Sequence, residues 1–349
     1  MVYNVSMIDD LKYIHNLDKQ DSLGVAGKQD KQLLEKYEIN IEKISADNIV
    51  VAGMGGSALA ASISTSWPGH NRPFQIVRGY DIPGYVNEKT FFIASSYSGN
   101  TEETLAALES AEKNQAQIAV ITSGGKLAKI AEEKGYPIAK LPASMQPRYA
   151  VFYGLKALIT LLDKAGLIAD KNAVSDLESS APMIAEAIAG WAPTVPTGDN
   201  LAKQIAKEAI GKSIVVYSGP KLSPAGYKWK ISFNENAKQV AWVNQYPEFN
   251  HNEFIGWSKQ PTKKPYTVID LRSNLENPRV NKRFEVSERL LSGERHAPIK
   301  VEAQGDNLLE QLLWIVTLGD FVSLYTALLN GIDPTPVDLI EKLKKLLED

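Results

Sequence analysis

The chain has 349 residues, 44% hydrophobic and 23% charged, with a formal net charge of -3 and a pI near 5.9. That profile suits a globular protein of two ordinary domains, and without a basic block or basic-aromatic stripe it gives no sign of a nucleic-acid surface. Zero cysteines exclude disulfides, iron–sulfur ligation and thiol catalysis; His15, His70, His251 and His296 fall at no metal-ligand spacing, so neither a metal nor another cofactor is expected.

The first ten residues lack the basic start, apolar core and cleavage site of a secretory signal, which points to the cytoplasm. Residues 1–43 read as a polar, mostly helical extension packing on a first domain at 44–190. That domain opens with the apolar strand Asn48–Ala52, the loop Gly53-Met54-Gly55-Gly56-Ser57-Ala58 and a small-residue helix to Ser66. The loop fits G-x-G-x-x-A, a dinucleotide fingerprint that wants an acidic residue about 20 positions on, at the end of the next strand. After the strand-like run Phe74–Val77 comes Arg78, and Asp81 only later, so the acidic partner is late.

The strand Thr90–Ala94 then leads into Ser96-Tyr97-Ser98-Gly99-Asn100-Thr101-Glu102-Glu103-Thr104, and the helix-forming run Thr101–Lys113 follows. A helix N-terminus offers unpaired N–H groups and partial positive charge, and Ser96, Ser98 and Thr101 each add a hydroxyl. Gly99 permits close backbone approach, and Asn100 with Glu103 has the spacing of a capping pair. The bland reading is a serine-rich turn. Two such loops in succession favour a phosphate cradle, and a phosphosugar over a dinucleotide, since a nicotinamide cofactor leaves the hydroxyl-rich turn without a role.

Ile118–Thr122 and Lys126–Lys134 continue the alternation, which predicts an α/β fold with a parallel sheet covered by helices. Arg148 stands in Pro142–Tyr149, just ahead of the helix Tyr149–Ala165, and reads equally well as a site residue or a surface arginine. After a helical segment at Asp170–Gly190, the Pro- and Gly-rich run Trp191–Asn200 marks a linker, placing a second domain at 191–349. Its plan repeats the first: helix Leu201–Ile210, strand Ser213–Tyr217, turn Ser218-Gly219-Pro220, a helix to about Gln239, and strands at Tyr266–Leu271 and Pro298–Val301. No second hydroxyl cradle is present, so phosphate binding is expected in the first domain and catalytic groups from the second. Glu235, amid bulky apolar neighbours, is a candidate general base, against the bland alternative of a solvated helix glutamate. His251, among aromatic and amide residues, is a candidate acid or base, though a lone loop histidine is usually incidental. Leu308–Leu329 carries Glu310 and Asp320 and reads as a core helix rather than a membrane span.

Taken together, Gly55-Gly56-Ser57, Ser96 to Glu102, Gln146-Pro147-Arg148-Tyr149, Asn234-Glu235-Asn236-Ala237-Lys238 and Glu248-Phe249-Asn250-His251-Asn252 resemble the bifunctional phosphoglucose/phosphomannose isomerase family, built from two sugar isomerase (SIS) domains. The resemblance implies two αβα sandwiches and a metal-independent aldose–ketose isomerase of glycolysis and gluconeogenesis, joining glucose 6-phosphate, and mannose 6-phosphate, to fructose 6-phosphate through a cis-enediol. It assigns the base to Glu235, enediolate stabilisation to Arg148, and phosphate binding to Gly56, Ser57, Ser96, Ser98 and Thr101. Ring opening falls to His251, reaching in from the neighbouring subunit of a homodimer, and to a C-terminal lysine, for which Lys344 is chosen over Lys342 and Lys345. Three alternatives stand beside it: a phosphosugar-sensing SIS protein without activity, an isomerase of another phosphosugar, and a dinucleotide-dependent oxidoreductase.

Overall fold

The structure, a computed structural model, describes residues 5–259 and 266–347. The chain divides into two compact units, Lys28–Met183 and Met1–Gly27 with Ile184–Asp349.

In the first unit a parallel sheet has the order β2-β1-β3-β4-β5, from β1 (Asn48–Ala52), β2 (Phe74–Val77), β3 (Thr90–Ser96), β4 (Gln117–Thr122) and β5 (Ile138–Lys140). The connecting helices are α1 (Gly55–Ser66), α2 (Glu102–Lys113) and α3 (Gly125–Lys134), with α4 (Val151–Lys164) after β5. Strand side chains alternate, and both faces are covered: Ile49, Val51, Phe91 and Ile93 pack with Leu158 and Leu161 of α4, while Val50, Phe92 and Val120 pack with Leu108 of α2 and Leu127 of α3. This two-sided burial is why β1 and β3 read as unbroken apolar runs. β1 lies between β2 and β3, so the crossovers diverge to either side of the β1/β3 junction, the place where open α/β sheets bind ligands.

The second unit repeats the plan with the order β7-β6-β8-β9: β6 (Ser213–Ser218), β7 (Ala241–Gln245), β8 (Tyr266–Arg272) and β9 (Ile299–Glu302), all parallel. Its main helices are α5 (Leu201–Ala209), α6 (Ser223–Glu235), α7 (Pro278–Leu290), α8 (Leu308–Leu329) and α9 (Asp338–Leu347). α8 is long and apolar enough to cross a membrane, yet the whole of its most apolar window is buried inside the protein. A polar ladder fixes α6 to it: Lys228 and Ser232 both donate to Asp320, and Asn236 Nδ2 donates to Ser323 Oγ at 2.9 Å.

Two expectations are corrected. The N-terminal extension does not pack as one piece on the first domain: Tyr13 Oη donates to the Leu328 carbonyl, Ser22 and Thr335 share a hydroxyl hydrogen bond, and Lys203 Nζ pairs with Asp9 at 2.9 Å. Residues from 28 on join the first unit, where Gln32 Nε2 donates to the Tyr149 carbonyl and Tyr37 Oη to that of Tyr153. The second unit resumes at Ile184, inside the helix Ala181–Trp191, rather than at the linker after residue 190.

Candidate functional site

The loops after β1 and β3 meet at the β1/β3 junction. Ser57 Oγ accepts from the Tyr97 N–H at 2.9 Å, which ties the first loop to the second. Ser96 Oγ accepts from the Gly99 N–H at 3.1 Å and lies 2.8 Å from Thr101 Oγ1, and Ser98 Oγ accepts from the Asn100 N–H at 3.3 Å. A serine oxygen that accepts a backbone N–H keeps its own proton to donate, so Ser57 and Ser98 retain free donors and the Ser96–Thr101 pair retains one. Neither α1 nor α2 has a side-chain hydrogen bond at its N-cap, which leaves first-turn amides of two helices open toward an anion.

Gly99 has φ 69°, and a Cβ on it would lie 1.8 Å from the Gly124 carbonyl oxygen, because the turn is pressed onto the β4–α3 loop. Asn100 takes part in the same packing. Rather than capping α2, its Oδ1 accepts from the Lys126 N–H at 3.0 Å, and the N-cap of α2 is Thr101.

Arg148 joins this group through its backbone. It sits in the 3₁₀ turn Pro147–Tyr149, and a Cβ on Gly56 would lie 2.8 Å from the Pro147 carbonyl oxygen and 3.2 Å from the Arg148 nitrogen. The turn therefore rests directly on the first residues of α1. Its side chain is only 2% exposed, with the guanidinium 4.8 Å from the Tyr149 ring centre and Nη1 3.4 Å from Gln146 Oε1. The turn thus brings a buried cation up against the first residues of α1, whose N-terminus carries partial positive charge of its own.

In the second unit Glu235 is the last residue of α6, half-buried, held near the start of β7. The crossover from β6 to the parallel β7 makes α6 run back along the sheet, so Glu235 lies at the end where strands begin. His251 follows β7 and lies at the end where strands finish, the exposed last residue of the 3₁₀ turn Glu248–His251. Phe249 anchors that turn, its ring 4.4 Å from Tyr217 and 4.9 Å from Tyr246, and Asn250 Nδ2 donates to Ser287 Oγ of α7 at 2.8 Å. Tyr246, Phe249 and Trp257, near His251 in sequence, thus belong to the core of this unit, while Trp242 stays exposed. Lys344 is exposed on α9 and donates to Glu341 at 2.8 Å.

Glu276, to which sequence reasoning gave no role, is a buried carboxylate of the second unit. Glu276, 6% exposed, lies at the β6/β8 junction, where its carboxylate accepts from the backbone N–H groups of Lys221 and Asn277, each at 2.9 Å. At the corresponding junction of this unit, the protein's own carboxylate takes backbone amides. Among the described residues no group of three or more His, Asp or Glu side chains is arranged to hold a metal ion.

Residues 44–163 match the family model described as SIS domain, and residues 198–347 match that of the bacterial phospho-glucose isomerase C-terminal SIS domain. A solved glucose-6-phosphate isomerase-like protein from Thermus thermophilus shares the fold, with a TM-score of 0.67 at 18% identity over 97% of this chain and 98% of that one. The protein is therefore of the double-SIS α/β class. A bifunctional phosphoglucose/phosphomannose isomerase from Caldicellulosiruptor bescii is 32% identical over 335 residues, 91% of this chain and 96% of the relative. One of the same description from Thermoplasma volcanium is 35% identical over 301 residues, 86% and 91% of the two chains. The chain belongs to the bifunctional phosphoglucose/phosphomannose isomerase family.

Proposed function

We propose that the protein is a cytoplasmic aldose–ketose isomerase of central sugar metabolism that interconverts glucose 6-phosphate and mannose 6-phosphate with fructose 6-phosphate. The relatives' names support the substrates. Gly56, Ser57, Ser96, Ser98 and Thr101 hold the phosphate through backbone amides and the hydroxyl protons left free by the loop's own hydrogen bonds. Glu235 removes the C2 proton of the open-chain aldose while the C1 carbonyl oxygen takes up the electron pair and a proton, giving the cis-enediol. The C2 hydroxyl then gives up its proton to become the carbonyl as Glu235 returns its proton to C1, so that the net change moves one proton from C2 to C1 and one from O2 to O1. Arg148 supplies fixed positive charge to the enediolate. His251 and Lys344 carry the proton transfers that open the ring.

The working unit in this reading is a homodimer, and the positions of Glu235 and His251 carry that part of it. They stand on either side of the five-residue strand β7, which alone spans roughly 17 Å at about 3.3 Å per residue. That placement favours a histidine supplied by a second copy over the chain's own. The test mixes Glu235→Gln and His251→Ala subunits, each poorly active alone on cyclic substrate. A shared site gives each hybrid dimer one intact Glu235–His251 pair, so activity returns to as much as half of wild type per hybrid. No recovery after verified subunit exchange would refute the shared site.

A further inference from the structure

Glu235 is the final residue of α6, where the last carbonyls of a helix have no partner within it and the dipole's negative end is exposed. Lys238, three residues on, turns back over that end from a left-handed backbone at φ 51°. Its Nζ donates to the carbonyls of Glu235 at 2.9 Å and Asn236 at 3.2 Å, and, from a distant part of the same unit, to those of Asp333 at 3.2 Å and Pro334 at 2.8 Å. Four carbonyl oxygens surround one ammonium, two from the helix end and two from the segment that leads into α9.

The body of α6 is held by other means. Lys228, Ser232 and Asn236 bind Asp320 and Ser323 of α8, and Trp229 Nε1 donates to the Ile315 carbonyl at 2.7 Å. Those bonds fix the helix along the face that meets α8, while Lys238 gathers the backbone immediately around the glutamate. The left-handed backbone that brings it there is unfavourable for a residue with a Cβ, a cost that the four ion–dipole contacts offset.

We propose that Lys238 is a positioning residue: by closing the end of α6 and clipping it to Asp333–Pro334, it fixes where the Glu235 carboxylate stands relative to the substrate carbon. The same clip ties α6 to the approach of α9, which carries Lys344. The proposal rests on the reading of Glu235 as the base. It assigns Lys238 no proton transfer and no substrate contact.

The experiment compares Lys238→Met and Lys238→Arg with the full-length wild type, measuring kcat and KM for fructose 6-phosphate and the melting temperature. Misplacing a base by about 1 Å costs on the order of 100-fold. Lys238→Met should therefore lose roughly 10- to 100-fold in kcat, with KM within about twofold and the melting temperature within a few degrees of wild type. Lys238→Arg, which keeps the positive charge and N–H donors at the helix end, should recover part of the loss. Wild-type kcat in Lys238→Met overturns the proposal, and so does a loss matched by a rise in KM and a lower melting temperature, which marks a merely structural contact. Glu235→Gln is assayed alongside: near-normal turnover there overturns the underlying reading, whereas an inactive Glu235→Gln beside a normal Lys238→Met overturns this proposal alone.

Discussion

Gly56→Ala tests the close packing that brings the Arg148 turn to the first of the proposed phosphate loops. An added Cβ would lie 2.8 Å from the Pro147 carbonyl oxygen, 2.9 Å from its carbon and 3.2 Å from the Arg148 nitrogen. Every one of those atoms is backbone, so no side chain can swing aside. Restoring an ordinary contact of about 3.4 Å requires a shift of roughly 0.6 Å between α1 and the Arg148 turn, and such overpacking costs about 1–3 kcal/mol of stability. Displacement of this size at a charge meant for the transition state should lower kcat/KM for fructose 6-phosphate by about 10- to 100-fold. Both kcat and KM should move, because the same contact borders the phosphate loop and the arginine. Steady-state kinetics and a thermal melt on one preparation read both effects. A Gly56→Ala enzyme with wild-type kcat and KM would refute the claim that the turn bearing Arg148 must rest on α1 for catalysis.

Glu276→Ala removes a 6% exposed carboxylate from the amides of Lys221 and Asn277; a stability loss of about 2 kcal/mol in denaturant unfolding is expected, and an unchanged midpoint would contradict the assigned contacts. His70 is stacked on Phe74 at 3.8 Å, and burial holds its pKa down from 6.5 to about 4. The fold therefore keeps the neutral ring. His70's contribution, on the order of 3 kcal/mol, is complete above pH 6.5 and is lost as the pH falls toward 4. Urea unfolding at pH 7 and pH 4.5 should show a smaller difference for His70→Phe than for wild type; equal differences would exclude His70 as a source of acid sensitivity.

The two loops proposed to hold phosphate are legible as loops because each lies between an apolar run and a helix-forming run, and strand-loop-helix order places such loops at strand ends. What decides their detailed roles is tertiary. Asn100 has the spacing of an N-cap, yet the β4–α3 loop presses against its turn and takes its side chain for the Lys126 amide. β7 escaped notice since Ala241–Gln245 is an edge strand with only Ala241 buried, so neither an apolar run nor a clean alternation marks it. The helix expected to reach Gln239 ends at Glu235, because Lys238 turns left-handed and binds the carbonyls behind it. The N-terminal segment reads as one polar extension in composition, and only Asp9, Tyr13 and Ser22 finding Lys203, Leu328 and Thr335 assign residues before 28 to the second unit. Contacts more than a hundred residues apart leave no local pattern.

The most direct measurement of the central claim is the turnover of fructose 6-phosphate by the purified full-length protein, with glucose 6-phosphate and mannose 6-phosphate read separately in coupled assays and Glu235→Gln run beside it. The account predicts both aldoses from the wild type and neither from Glu235→Gln, with phosphosugar binding retained in the variant. Binding of fructose 6-phosphate without either product from the wild type would contradict it.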